Sequence, residues 1–245
     1  MPDDGLAPPP LSLLDGAALF LDFDGTLVEF AETPGSIRVP GELAPLLSRL
    51  GSRLGGRLAI VSGRSIGDLE RHLDCSGLAV SGSHGLELRL PDGSSLPVVA
   101  PAGLDSARGE IGRLAAADPR LLVEHKPASV ALHFRKAPER ESELGAIVSE
   151  LAARSRLVVQ HGKMVAELRP RGADKGDALR SLMREPPFAG ARPVFVGDDL
   201  TDENAFRAAS ALGGAGILVG APRATAALYG LAGVAEVAIW LRAAA

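Results

Sequence analysis

The stretch Ala17-Ala18-Leu19-Phe20-Leu21, followed at once by Asp22-Phe23-Asp24-Gly25-Thr26, decides the fold class. Five apolar residues without polar alternation read as a strand buried on both faces, the pattern of a parallel sheet lying between helices. The strand stops at an acidic, glycine-containing turn, and in doubly wound sheets ligands sit beyond the carboxyl ends of the strands. Asp22 and Asp24 are two residues apart, so while the backbone stays extended both carboxylates point to one side. Gly25 admits an unusual backbone angle or the close approach of a ligand. Thr26 and the loop amides can donate to phosphate oxygens.

Outward from this strand the same unit repeats. A helix is expected over 42–54, with Leu43, Leu46, Leu47, Leu50 and Leu54 on one face, then a strand over 58–61. Ser62-Gly63-Arg64-Ser65 turns into a helix over 66–73 with Ser65 or Gly67 near its cap. A strand over 78–80 and a hairpin through Pro91-Asp92-Gly93 follow, its second arm over 96–99. The alternation resumes with a helix over 174–184, a strand over 193–196, the loop Gly197-Asp198-Asp199, a helix over 202–209, a strand over 217–219 and a closing helix over 234–243. The fold class is therefore α/β, a Rossmann-like doubly wound parallel sheet. The middle differs: a helix over 105–117, strands over 121–124 and 130–134, a helix over 139–155, and strands over 157–160 and 164–169. That α-β-β-α-β-β order predicts a small α/β cap domain over 103–170, inserted into a core made of 1–102 and 171–245.

Composition narrows the function classes. The 245 residues carry 26 Lys+Arg against 30 Asp+Glu, a formal charge of −4, so no bulk positive field exists to hold nucleic acid or anionic lipid. Cys75 is the only cysteine, which excludes an internal disulfide and a thiolate zinc cluster. No apolar run approaches the roughly 18 to 20 residues of a membrane span. Met1-Pro2-Asp3-Asp4 is acidic where a secretory signal would be basic, so a cytoplasmic location is expected. Gly214-Ala215-Gly216 with Gly220 has the wrong spacing for a dinucleotide fingerprint and precedes a strand. The expected partner is a small molecule; on a protein partner the sequence is silent.

Asp22, Ser62 and Asp198 each stand at or just after an expected strand end. Two crowded carboxylates repel each other, and a divalent cation removes that repulsion; Asp198 and Asp199 add oxygen ligands of the hard kind that Mg²⁺ prefers. A metal shared by an aspartate and a phosphoryl group permits in-line attack by that carboxylate, with Lys175 neutralising phosphate charge and Ser62 binding another oxygen. Singly, each has a plainer reading. Asp-x-Asp-Gly is common in exposed turns, Ser62-Gly63-Arg64 can cap a helix, Lys175 can be a solvated helix residue, and Asp198-Asp199 can favour a helix N-terminus. A calcium loop starting at Asp22 fails, since its sixth position is Leu27 and its twelfth Thr33. Together and in order, the motifs point to phosphoryl transfer through an aspartyl-phosphate. In the middle segment, the i, i+2 spacing of Glu124 and Lys126 puts both on one strand face.

With Asp22-Phe23-Asp24-Gly25-Thr26, Ser62, Lys175 and Gly197-Asp198-Asp199-Leu200-Thr201-Asp202 in place, the chain resembles the haloacid dehalogenase superfamily of phosphohydrolases over essentially its whole length. Within that superfamily it is most similar to the trehalose-6-phosphate phosphatases. The stretches Ser83-His84-Gly85-Leu86-Glu87, Val123-Glu124-His125-Lys126, Val130-Ala131-Leu132-His133-Phe134-Arg135 and Gly162-Lys163-Met164-Val165-Ala166-Glu167 carry that likeness. The resemblance implies a Mg²⁺-dependent phosphatase with Asp22 as nucleophile and Asp24 as proton donor to the leaving sugar oxygen, then as base toward water. It implies Mg²⁺ held by Asp22, the backbone carbonyl of Asp24 and Asp198, with Asp199 and Asp202 supporting. Thr26, Ser62, Gly63 and Lys175 would bind the phosphate, and Glu124, Lys126 and Glu167 the sugar hydroxyls. It assigns no role to His84, Arg135 or Lys163. A different sugar phosphate, of the sucrose-, glucosylglycerol- or mannosylglycerate-phosphate type, a phosphomutase, or a non-catalytic sugar-phosphate sensor are the alternatives.

Overall fold

A computed structural model describes residues 5–30, 37–96, 101–126, 128–162, 164–170 and 174–245. The chain divides into two compact units, Met1–Leu96 with Asp174–Ala245, and Pro97–Ala173.

The first unit is an eight-stranded sheet. Its strands are β1 (Ala17–Leu21), β2 (Leu58–Val61), β3 (Ala79–Gly82), β4 (Glu87–Arg89), β5 (Ser95–Leu96), β10 (Arg192–Gly197), β11 (Ala215–Val219) and β12 (Tyr229–Leu231), in the order β12-β11-β10-β1-β2-β3-β4-β5. From β12 to β3 all neighbours run parallel, and β4 and β5 add an antiparallel hairpin at one edge. The hairpin's second arm was expected over 96–99; residues 97–100 lie outside the described residues. The chain leaves β1 toward β2 and β3 on one side and returns to β10 on the other, which makes the carboxyl end of β1 a topological switch point.

Alternate residues of the apolar β1 feed two cores. Ala17, Leu19 and Leu21 pack with leucines of α1 (Leu43–Arg53) and with Val237, Trp240 and Leu241 of α7 (Val234–Ala244). Ala18 and Phe20 pack with Ala178, Leu179 and Leu182 of α5 (Lys175–Leu182) and with Ala205 and Phe206 of α6 (Glu203–Ala211). Helices thus cover both faces, and burying an aromatic side chain such as Phe20 stabilises the fold by about 1.5–3 kcal/mol. The short helix α2 (Ile66–Glu70) ends sooner than the 66–73 expected; Ser65 caps it, its hydroxyl accepting from the Asp68 amide. Strand β11 begins two residues earlier than its apolar run suggests, because Ala215 and Gly216 pair with Val194 and Phe195 of β10; at Gly216 a Cβ would meet the Phe206 ring at 2.7 Å. Strand β12 has no counterpart in the sequence reading, since three residues with a central glycine leave no periodic signal.

The second unit follows the α-β-β-α-β-β order: α3 (Leu104–Ala117), β6 (Leu122–His125), β7 (Val130–His133), α4 (Glu141–Ser155), β8 (Val158–Gly162) and β9 (Val165–Arg169). The antiparallel sheet has the order β6-β7-β9-β8. Val130, Leu132, Ala166 and Leu168 pack on Leu104, Ala107 and Ile111 of α3 and on Leu144, Val148 and Leu151 of α4. In the pairing register Glu124 lies opposite Ala131, Ala131 opposite Glu167, and Glu167 opposite Gln160, so that row occupies the face turned away from the helices.

Candidate active site

Three adjacent parallel strands deliver the site. Leu21 of β1 pairs with Val196 of β10 and Ile60 of β2, so Asp22, Asp198 and Ser62 emerge side by side at one rim. The Asp22 amide donates to the Val196 carbonyl at 2.9 Å and the Ser62 amide to the Ser81 carbonyl at 2.9 Å, which carries the ladder up to the rim. Gly25 has φ +77°, and a Cβ on it would stand 2.3 Å from Asp198 Oδ2. Only glycine lets the first loop pass so close to the late acidic loop.

Lys175 is the hub. It opens α5, whose N-cap Asp174 accepts from the Asp177 amide at 2.9 Å. Its Nζ lies 2.8 Å from Asp22 Oδ1 and 2.6 Å from Asp202 Oδ1. All three side chains are buried. Burial alone would lower the lysine's pKa; attraction to Asp22 and Asp202 outweighs it and holds the ammonium charged. Burial raises the Asp22 carboxyl well above its ordinary range, against the pull of Lys175 and with a push from Asp202. Burial, together with repulsion from Asp202, lifts Asp198 to about 6.

Asp22, Asp198 and Asp202 offer oxygens that all lie within 4.8 Å of one another. When ionised they carry three negative charges against the one positive charge of Lys175, an excess of two. Clustered carboxylate oxygens with that excess fit a divalent, oxygen-seeking cation. Asp202 is held at both ends, Oδ1 by Lys175 and Oδ2 by the Asp199 amide at 2.9 Å, so it braces the group from behind. The carboxylate of Asp199 caps the turn over Leu200–Asp202, accepting from the Leu200 amide at 2.7 Å.

Thr26 is buried, and its hydroxyl lies 3.4 Å from Asp198 Oδ1. Ser62 is buried too, its Oγ accepting from the Arg64 amide at 3.1 Å. The Asp24 carboxylate is not among the three clustered ones. Arg64 takes it in a two-pronged pair, Nε to Oδ2 at 2.7 Å and Nη2 to Oδ1 at 2.8 Å, and this hydrogen bonding raises the guanidinium's pKa. His84 stands in the left-handed region at φ +55°, and its amide donates to the Ser62 carbonyl at 3.0 Å. Its imidazole covers Gly63, where a Cβ would meet the ring at 2.6 Å.

On the face of the second unit's sheet turned away from its helices, Lys126 Nζ and Glu167 Oε2 are 2.9 Å apart, and the Ser129 hydroxyl donates to Glu167 Oε1 at 2.6 Å. Glu124 is exposed, with its Oε2 3.0 Å from His133 Nε2. Arg135 is exposed, and Lys163 lies outside the described residues.

Sequence reasoning passed over Arg64 as a partner of Asp24, although it follows Ser62-Gly63 directly. It also passed over Arg223, which donates to the Asp199 carbonyl at 2.9 Å and the Asp198 carbonyl at 3.4 Å and pairs with Glu203. Nothing local marks Arg223, because Glu203, Asp199 and Asp198 lie 20, 24 and 25 residues before it in the chain.

Residues 20–233 match the trehalose-phosphatase family model. The chain belongs to the trehalose-phosphatase family. It is thus a phosphatase, a phosphoric monoester hydrolase. It is 41% identical over 211 residues to the "Probable trehalose-phosphate phosphatase" of Sinorhizobium fredii, covering 85% of this chain and 80% of that one. To the trehalose-6-phosphate phosphatase of Escherichia coli it is 37% identical over 228 residues, 91% of this chain and 85% of the relative. Among solved structures, a trehalose-6-phosphate phosphatase related protein aligns with TM-score 0.71 and 28% identity over 91% of this chain and 95% of its own. The C-terminal domain of Candida albicans trehalose-6-phosphate phosphatase shares the fold, with TM-score 0.75 at 20% identity and 98% of each chain covered. Among the described residues no helix is long and apolar enough to cross a membrane.

Proposed function

We propose that the protein hydrolyses trehalose 6-phosphate to trehalose and inorganic phosphate through an aspartyl-phosphate on Asp22. The observation that carries this reading is the gathering of Asp22, Asp198 and Asp202 around Lys175 at the switch point of the sheet. The substrate follows from the names of the relatives.

Asp22 attacks phosphorus in line as the bond to the sugar oxygen breaks, and Asp24 gives that oxygen a proton. Asp24, now a carboxylate, takes a proton from water as the water oxygen attacks phosphorus; the bond to Asp22 breaks and phosphate leaves. Thr26, Ser62, the Gly63 amide and the Lys175 ammonium bind the phosphoryl oxygens, whose negative charge grows in the transition state. Asp22, Asp198 and the backbone carbonyl of Asp24 would hold Mg²⁺, with Asp202 and Asp199 behind them. When bound, the ion offsets the charge shared by carboxylates and phosphoryl group. The inserted unit acts as a substrate-reading cap, where Glu124, Lys126 and Glu167 bind sugar hydroxyls.

Phosphate release from a panel of sugar phosphates in Mg²⁺ tests the reading, with trehalose 6-phosphate expected to give the highest kcat/KM. Faster release from a sucrose-, glucosylglycerol- or mannosylglycerate-type ester would change the sugar. An isomerised sugar phosphate would make the protein a mutase, and binding without release would make it a sensor.

A further inference from the structure

The geometry points to Arg64 as a positioning residue for Asp24: we infer that its guanidinium fixes the plane of the Asp24 carboxyl group, gripping both oxygens when it is the carboxylate that takes a proton from water, and one oxygen when the other carries the proton for the leaving sugar oxygen. The inference rests on the role proposed above for Asp24.

Asp24 stands beyond the end of β1 with about a quarter of its side chain exposed (26%), on a loop turned by a hydrogen bond from the Gly25 amide to the Val28 carbonyl at 2.8 Å. Two free torsions would let its carboxylate swing. A proton donor works only when its oxygen comes within about 2.6–3.2 Å of the accepting atom. A lysine would restrain the carboxylate as a point charge; the flat arginine fork also restrains its plane. Arg64 makes both prongs, at 2.7 and 2.8 Å.

The arginine is itself anchored. Its Nη1 reaches Asp68 Oδ2 at 2.7 Å, and the Asp68 amide donates to the Ser65 hydroxyl at 3.2 Å. The guanidinium carbon sits 5.9 Å from the Phe23 ring centroid, and the Arg64 amide donates to Ser62 Oγ at 3.1 Å. Only 12% of the side chain is exposed. Asp68, Phe23 and the Ser62 turn thus hold Arg64, and Arg64 holds Asp24. A merely structural reading is that Arg64 ties the β2–α2 turn to the loop after β1. The two readings differ in their dependence on the leaving group. Trehalose leaves as a poor alkoxide and needs a proton as the ester bond breaks; 4-nitrophenolate is stable enough to leave without one.

The experiment is rapid mixing of the full chain with trehalose 6-phosphate or 4-nitrophenyl phosphate in Mg²⁺, measuring release of the alcohol in the first turnover. Arg64→Gln is expected to slow the first release of trehalose about 100-fold, while the nitrophenolate burst changes by less than about threefold. Steady-state turnover of both then falls, because the water step loses its aligned base. Arg64→Lys recovers part of the trehalose rate. Asp68→Asn, which removes only the far anchor, shows the same split at about 5- to 10-fold and serves if Arg64→Gln does not fold. Asp24→Asn is measured beside them. If Asp24→Asn shows no split, the reading of Asp24 fails. If it does, and the Arg64 and Asp68 variants slow both first turnovers equally or neither, the inference about Arg64 is overturned.

Discussion

Each unit of the chain buries a lysine against carboxylates, and the two pairs are built differently. Lys175 has 4% of its side chain exposed and serves two carboxylates, Asp22 and Asp202, from loops after different strands of a sheet covered on both faces. Lys126 has 11% exposed and serves one, Glu167, on the sheet face turned away from the helices of its unit, with Ser129 as a second donor to the same carboxylate. Removing Lys175 takes the cation from two buried carboxyl groups, of which Asp202 keeps only the Asp199 amide; removing Lys126 takes it from one, Glu167, which keeps the Ser129 hydroxyl. The first arrangement suits chemistry that tolerates no displacement. The second suits recognition, where side chains standing on a strand face change singly without disturbing the core beneath.

Four further experiments would break or sharpen this contrast. Asp22→Asn should lower kcat by about 10⁴-fold or more with the circular dichroism spectrum unchanged, as loss of a nucleophile does elsewhere; sustained turnover by the purified variant would remove Asp22 from the reaction. Lys175→Ala should lower stability by about 3–5 kcal/mol in urea unfolding, the loss typical of breaking a buried pair, and Lys126→Ala by clearly less. Equal losses would erase the distinction between the two lysines. Glu124→Ala should raise KM for trehalose 6-phosphate about 10-fold and leave 4-nitrophenyl phosphate nearly unaffected. A matching loss on both would deny Glu124 a role in reading the sugar.

The smallest effect is a pH trend. In the metal-free protein the carboxyls of Asp22 and Asp198 are raised, the latter to about 6. Over the range between the ordinary aspartate value and about 6, the folded state binds more protons than the unfolded one, so stability falls as pH rises. Metal-free Tm should therefore decline from about pH 4 to pH 6 through these groups, and Mg²⁺ should raise Tm more at about pH 7.5 than at about pH 5. A Mg²⁺ shift independent of pH would mean that the cation does not meet these carboxylates.

Much of this was legible along the chain. Unbroken apolar runs such as 17–21 and 58–61 betray strands buried on both faces, because a one-sided strand would have to alternate. The leucine spacing of 42–54 shows a helix, since 3.6 residues per turn put those side chains on one stripe. The rest was hidden where the deciding contact is distant: β12 exists because it pairs with β11, and Gly216 is a strand residue because it pairs with Phe195 of β10, where Phe206 leaves no room for a side chain.

The order of residues by itself determined which chemical groups stand at which strand ends, since period and glycine placement are local properties. It could not decide which carboxylate meets which cation. Asp22 and Asp24 looked like a matched pair, yet tertiary packing sends the first to Lys175 and the second to Arg64. Asp198 and Asp199 are adjacent, yet one joins the buried cluster and the other caps a turn. Those choices depend on distances set by strands and helices far apart in the chain. Electrostatic energy depends on such distances and on burial, and neither is written in the spacing of the letters.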